Sequence, residues 1–251
     1  MKILSLNAWG GRVLEPLKTF LENKNEDVDV FCFQEIFREK TAKNPEEFAD
    51  MTKANIHLYE DIENILTNYN GYFCSVHGDY YGIAIFVKKD LDVLEYREIL
   101  IFENKDFVPQ VEDFTEDHNR KMQYVKIKIN NEYFNIMNVH GHWVRGNKLD
   151  NHNRLKQSDV IIDFVKSLTD NKILCGDFNL RPDTESIIKI EKEGMINLIK
   201  KYDITSTRTS FYEKSEKYAD YIFISSDIRI KEFQVLCDVV SDHSPLLLEF
   251  N

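Results

Sequence analysis

Two polar side chains close an apolar run in the segment ILCGDFNLRP, residues 173–182, where Asp177 and Asn179 flank Phe178. Alternate side chains of an extended chain share a face, so the carboxylate and the carboxamide are expected on one side and the phenyl ring on the other. The same placement recurs along the chain. Asn7 follows KILSL, Gln34 and Glu35 follow VFCF, and His140 follows NIMNV, while Asp220 opens DYIFIS and Ser241-Asp242-His243 precedes SPLLLEF. If these strand ends share one rim, they gather carboxylates, carboxamides and imidazoles there. That is an inventory for metal and phosphate chemistry, because hard cations take oxygen donors.

Each residue also has a plainer reading. Asn7 stands before Trp9-Gly10-Gly11 and suits a turn. His140 or His142 alone reads as a hydrogen-bonded structural histidine, Asp242 as a turn aspartate and Asp220 as a salt-bridge partner. Glu35 is harder to set aside, since a carboxylate after a buried strand pays desolvation unless it is paired or bound to a cation.

The elements that must position these groups are mostly strands. Eleven short runs rich in Ile, Val, Phe and Tyr read as β: KILSLN, DVDVFCFQ, GYFCSV, GIAIFV, VLEYREILIF, MQYVKIKI, YFNIMNV, KILCGDF, ADYIFIS, IRIKEFQVL and PLLLEF. Asn130-Asn131 reads as a hairpin turn. Helical spacing is found at Leu14, Leu17 and Leu21, and after Pro45 at Phe48, Met51, Leu58, Ile62 and Ile65. A third helix is expected near 152–168, with Val160 fitting its apolar face less well, and a fourth after Pro182 with Asp183 or Thr184 as its cap. Such a mixture predicts sheets packed on each other and covered by helices.

Composition bounds the rest. The chain has 251 residues, 43% hydrophobic and 30% charged, enough for one large domain over 1–251, and neither repeats nor linkers divide it. No stretch approaches the roughly 20 apolar residues of a membrane span, and no secretory signal pattern is seen, so the expected location is the cytoplasm. Cys32, Cys74, Cys175 and Cys237 sit singly in apolar runs and read as buried thiols of a reducing compartment. A net charge of -11 argues against general binding of duplex DNA, which needs cations to neutralise phosphates. Arg145, Lys148, Arg154 and Lys156 cluster locally; by themselves they read as a solvated face.

Taken in order, LNAWGG, FCFQEIF, NVHGHW, LCGDFNLRPD, YADYIFIS and VSDHSPL resemble the successive motifs of the endonuclease/exonuclease/phosphatase superfamily, from about Ile3 to Leu246. The resemblance implies a DNase I-like α/β/β/α sandwich, four layers with two mixed sheets face to face and helices outside. It implies a phosphoester hydrolase, nuclease, phosphodiesterase or phosphatase, dependent on Mg²⁺ or Mn²⁺. Glu35 matches the principal metal ligand, with Asn7 beside it and Asp242 a further one. Asp177 matches the residue that orients and deprotonates the attacking water, and Asn179 the one that positions the phosphate or that water. His243 matches a catalytic histidine held by Asp220, and His140 a second histidine donating to a phosphate oxygen, with His142 a competing choice.

Three departures stand out: Asn138 replaces a threonine, Tyr218 replaces an arginine, and Trp9 stands where repair endonucleases carry aspartate, as in sphingomyelinase-like branches. The expected partner is therefore a phosphorylated small molecule, a lipid headgroup or a nucleic-acid end, with Arg145, Lys148, Arg181 and Arg208 as phosphate contacts or surface salt bridges. The oligomeric state is left open. The alternative reading is a noncatalytic protein that keeps the fold to bind a phosphorylated partner.

Overall fold

The computed structural model describes residues 1–39, 53–104, 118–129 and 131–251. Among them the eleven expected strands all form. They are β1 (Lys2–Asn7), β2 (Val30–Phe37), β3 (Tyr69–His77), β4 (Tyr81–Lys88), β5 (Asp92–Phe102), β6 (Arg120–Ile129), β7 (Glu132–His140), β8 (Asn171–Asp177), β10 (Asp220–Ile224), β11 (Ile230–Val235) and β12 (Leu246–Phe250). A two-residue strand, β9 (Ile196–Asn197), is added, too short to show periodicity. One six-stranded sheet runs β11-β12-β1-β2-β4-β3 and the other β5-β6-β7-β8-β10-β9. Both mix parallel and antiparallel neighbours.

Alternation along the strands separates the layers. In the first sheet Ile3, Val30, Cys32, Ile85 and Val87 join Val125, Ile136, Cys175 and Ile222 of the second in one cluster between the sheets. The intervening Leu4, Leu6, Phe31, Phe33 and Phe86 face the other way, onto Leu17 and Leu21 of helix α1 (Leu14–Lys24) and Leu58 and Ile62 of α2 (Leu58–Ile65). Each such side chain taken fully from water contributes about 1.5–3 kcal/mol. Beyond the second sheet, α3 (His152–Ser167) turns inward Ile161, Ile162 and Val165, and α4 (Glu185–Lys192) turns inward Ile187 and Ile190. A short α5 (Leu198–Lys201) follows β9. The four layers are those expected.

Several local expectations change. Pro45, Phe48 and Met51 lie outside the described residues, and so does Asn130; Asn131 has φ +67 beside the paired Ile129 and Glu132. Thr184 is the residue before α4, but its side chain does not cap it. Asp150 does so from a distance, accepting the amides of Glu185 at 2.6 Å and Ser186 at 3.1 Å. Cys237 is exposed; the other three thiols are buried.

Register explains why the polar strand ends coincide. Parallel β1 and β2 pair Asn7 with Gln34, and parallel β7 and β8 pair His140 with Asp177. Antiparallel β10 pairs its first residue, Asp220, with Asp177. Asn138, two residues inside β7, then rivets the sheets together: it accepts from Gln34 Nε2 at 2.6 Å and donates to Phe33 O at 3.0 Å and Ala84 O at 3.3 Å. A threonine at that position is too short to span both strands.

Candidate active site

Asp177 closes β8 and is the hub of the shared rim. Its Oδ2 accepts from Asn7 Nδ2 at 3.0 Å and lies 3.7 Å from His243 Nε2 and 3.9 Å from His140 Nε2. Glu35 Oε1 accepts from the same Asn7 amide at 3.0 Å and stands 3.8 Å from His140 Nε2. Glu35 reaches this position from an irregularity in the β2–β4 pairing, where its φ is +57. Such a conformation is strained for a residue with a Cβ and is typical of functional sites.

Asn179 joins Asp177 by a different route from simple strand alternation. The strand ends at Asp177, and Asn179 has φ +57, in a turn where its amide N–H donates to Asp177 Oδ1 at 2.8 Å. Phe178 does point into the core, packing edge-on against Tyr221 and Phe223. The side chain of Asn179 donates to Gly141 O at 3.2 Å and accepts from Lys148 Nζ. Gly141 permits this approach, since a Cβ there would fall 2.5 Å from Phe178 O.

His243 sits opposite. Its Nδ1 is 2.9 Å from both carboxylate oxygens of Asp220, and Thr207 Oγ1 donates to Asp220 at 2.9 Å. Arg208 Nη1 contacts His243 Nε2 and pairs with Asp242 at 3.3 Å, which directs the Nδ1 proton to Asp220. Burial and Arg208 lower the affinity of this imidazole for a proton, but Asp220, Asp242 and Asp177 outweigh them and its pKa is raised. His140 moves the other way: burial first, then Arg120, holds its pKa well below the ordinary value. Burial works to raise the Asp177 pKa, yet His243, Lys148, His140 and Arg208 hold it below the carboxylate range. In Glu35 burial prevails over the Asn7 hydrogen bond, and Asp242 and Asp177 add to the upward shift.

The two competing histidines are separated clearly. His140 faces Glu35 and Asp177, whereas His142 stacks on Phe102 at 4.4 Å between ring centres and its backbone N–H donates to Gln157. Two expected ligands sit differently from the expectation. Asn7 turns its Nδ2 toward the carboxylates and uses Oδ1 to accept the Trp9 N–H at 2.9 Å. Asp242 pairs with Arg208 and belongs to neither close donor group among the described residues. Those groups are Glu35, His140 and Asp177, and Asp177, Asp220 and His243, each with donor atoms within 4.8 Å of one another. Each group offers two carboxylates and one imidazole, a donor set that fits a hard divalent cation.

The cations were the least legible part. Lys148 is buried beside Asn179, and burial brings its pKa down to about 8. Arg154 is fully buried in α3 and donates to the carbonyls of His142, Asn147 and Leu149, fixing the loop after β7. Neither belongs to a solvated face. Arg208 is a site residue, stacked at 3.9 Å over the Tyr212 ring, while Arg181 makes an exposed pair with Asp183. Tyr218, in the place of an arginine, donates to Ile204 O at 3.1 Å and so braces a neighbouring loop. Arg120, unremarkable in sequence, is buried at the start of β6. Beside Glu35 and His140 opens a cavity of about 240 Å³ lined by Trp9, Phe37, Tyr81, Trp143 and Arg120.

Residues 4–243 match the Endonuclease/Exonuclease/phosphatase family, and the chain belongs to that family. Comparison with curated protein sequences gives no match. Among solved structures, the chain is similar to a mannosyl-6-phosphatase of Bacteroides thetaiotaomicron, with 20% identity, TM-score 0.75 and coverage of 100% of this chain and 99% of that one. It is similar to a family protein from Leptotrichia buccalis at 18% identity, TM-score 0.72 and coverage of 100% and 99%. D. rerio TDP2 complexed with a single-strand DNA product is 17% identical, with TM-score 0.72 and coverage of 100% and 98%. These likenesses establish the DNase I-like fold. No helix among the described residues is long and apolar enough to cross a membrane.

Proposed function

We propose that this chain, residues 1–251 acting as one domain, is a Mg²⁺- or Mn²⁺-dependent phosphoester hydrolase. The observation that carries this reading is the convergence on Asp177 Oδ2 of Asn7 at 3.0 Å, His243 at 3.7 Å and His140 at 3.9 Å, delivered by strands of both sheets. A cation held by Glu35 and Asp177, with Asn7 and Asp242 adjoining, would supply Lewis-acid polarisation of a phosphoryl oxygen. Asp177, kept ionised by its cationic neighbours, orients the attacking water and accepts its proton. Asn179 places that water or the phosphate, with Lys148 holding its amide. His243, fixed by Asp220, and His140 contact the phosphoryl and leaving oxygens, and Arg208 spreads positive charge beside them.

The acidic net charge of -11 favours a small phosphorylated substrate over duplex DNA. Family relatives named as a sugar phosphatase and as a protein bound to a DNA product make both phosphomonoesters and phosphodiesters sensible first substrates. Free thiols at all four cysteines support a cytoplasmic setting. The test is hydrolysis of p-nitrophenyl phosphate and bis-p-nitrophenyl phosphate with Mg²⁺ or Mn²⁺, against an EDTA control and Asp177→Ala, then a panel of phosphorylated metabolites, sphingomyelin-like lipids and oligonucleotides. Turnover that needs the metal and Asp177 is expected. Binding without turnover across the whole panel would instead favour the noncatalytic phospho-ligand reading.

A further inference from the structure

Two buried arginines contrast sharply. Arg154, 0% exposed, has three backbone carbonyls as acceptors for its guanidinium. Arg120, 2% exposed, faces Tyr81, Glu35 and Asp177, yet its Nε and Nη1, both buried, have no hydrogen-bond acceptor. A buried charged donor left without an acceptor is costly, so the arrangement calls for an acceptor that arrives with a ligand. Arg120 lines the cavity beside Glu35 and His140. Of the groups that the proposed reading assigns to the reacting phosphate, His140 lines it and Asn179, Lys148, Arg208 and His243 do not, so the cavity adjoins that phosphate without enclosing it. The unmet donors therefore belong to a subsite next to the reacting phosphate.

The shape of that subsite narrows what fills it. Trp9, Phe37, Tyr81 and Trp143 give it aromatic walls, and Arg12 stands at its mouth with its guanidinium 4.9 Å over the Trp9 ring. Its volume of about 240 Å³ falls below the ~300–1,000 Å³ typical of drug-sized ligand sites. It has room for one ring and a small substituent. Aromatic faces suit the plane of a base or the C–H face of a sugar, and a guanidinium suits an oxyanion in a bidentate pair.

We propose that the Arg120 cavity is a specificity subsite for a second anionic group, a phosphate or carboxylate carried on a single sugar or base ring, in substrates whose other phosphate is hydrolysed at Asp177. This inference rests on the phosphohydrolase reading and names its substrate class: compact phosphoesters with two anionic groups. Arg120 is the principal anion ligand and Arg12 the outer one.

The probes are glucose 1,6-bisphosphate and glucose 6-phosphate for the sugar arm, and adenosine 3′,5′-bisphosphate and AMP for the base arm. Trp9 and Trp143 are the two tryptophans of the chain and both line the cavity, so stopped-flow tryptophan fluorescence with Mg²⁺ reads binding before turnover. In at least one arm the bisphosphate is expected to bind about tenfold or more tightly than the monophosphate. Arg120→Gln should erase that advantage, costing the bisphosphate far more affinity than the monophosphate, and Arg120→Lys should restore part of it. Equal affinity of bis- and monophosphates in both arms would overturn the inference, and so would an equal loss of both in Arg120→Gln, which would move Arg120 to the reacting phosphate. If Arg120→Gln does not fold by circular dichroism, the wild-type ratio and its reduction in Arg12→Ala decide. Metal-dependent turnover of p-nitrophenyl phosphate without any bisphosphate preference would sink this subsite alone; no binding and no turnover of any phosphoester would sink the phosphohydrolase reading with it.

Discussion

The rim of this molecule has two halves in opposite states. On the His243 side the side chains are engaged, with Arg208 Nε an unpartnered exception: Thr207 holds Asp220, Asp220 holds His243, Arg208 holds Asp242, and Lys148 holds Asn179. On the Glu35 side buried polar atoms lack partners, among them His140 Nδ1 and Arg120 Nε and Nη1. Buried polar groups are ordinarily paired, so the difference separates a preorganised half from a half built to receive a ligand. The preorganised half should govern rate. The open half should govern cation and substrate binding.

The largest expected break in that division is Asp177→Ala, which removes the group common to both halves. Loss of a general base costs typically ~10²–10⁴-fold in rate, and kcat on p-nitrophenyl phosphate with Mg²⁺ should fall to the upper part of that range. His243→Ala and Asp220→Asn should each cost on the order of 10²-fold in kcat with a comparatively small change in thermal midpoint. A loss of thermal stability large enough to explain the rate would make this pair structural. Next in size, His140→Ala should lower turnover roughly ten- to a hundredfold, while His142→Ala, in the wall against Phe102, should act mainly on stability. A greater rate loss at His142 would reverse the assignment.

The smallest effect is a pH dependence of folding from that same wall. Burial, then Arg120 and Arg154, takes the His142 pKa down to about 4 from the ordinary 6.5. Above pH 6.5 the ring is neutral folded or unfolded and contributes nothing. Below it the unfolded chain takes up a proton that the folded one refuses, so stability falls with pH until about pH 4, where the folded state protonates too. At about 1.4 kcal/mol per unit the loss amounts to at most ~3 kcal/mol. Urea midpoints between pH 7 and pH 4 should decline less steeply in His142→Phe than in wild type; parallel declines would remove His142 as the cause.

The strands were legible because period-two burial writes itself into residue types, as in Leu4 and Leu6 outward against Ile3 inward. Glu35, Asp177, Asp220 and His243 were legible because polar residues at apolar strand ends pay desolvation without a reason to be there. The cationic side was not, since Lys148 and Arg154 sit among charges that look solvated and are buried only by the loop they themselves hold. Nor was the turn at Asn179, whose left-handed φ of +57 does what strand alternation was expected to do. Cap replacement by Asp150, 35 residues before Glu185 in the chain, depends on tertiary packing that no local window contains.

The most direct test of the account is hydrolysis of p-nitrophenyl phosphate in ¹⁸O-labelled water with Mg²⁺ or Mn²⁺. The account predicts one labelled oxygen in each phosphate released by the wild-type chain, with release abolished by EDTA and nearly abolished in Asp177→Ala. Release that persists undiminished in Asp177→Ala, or that proceeds without incorporation of label, would contradict it.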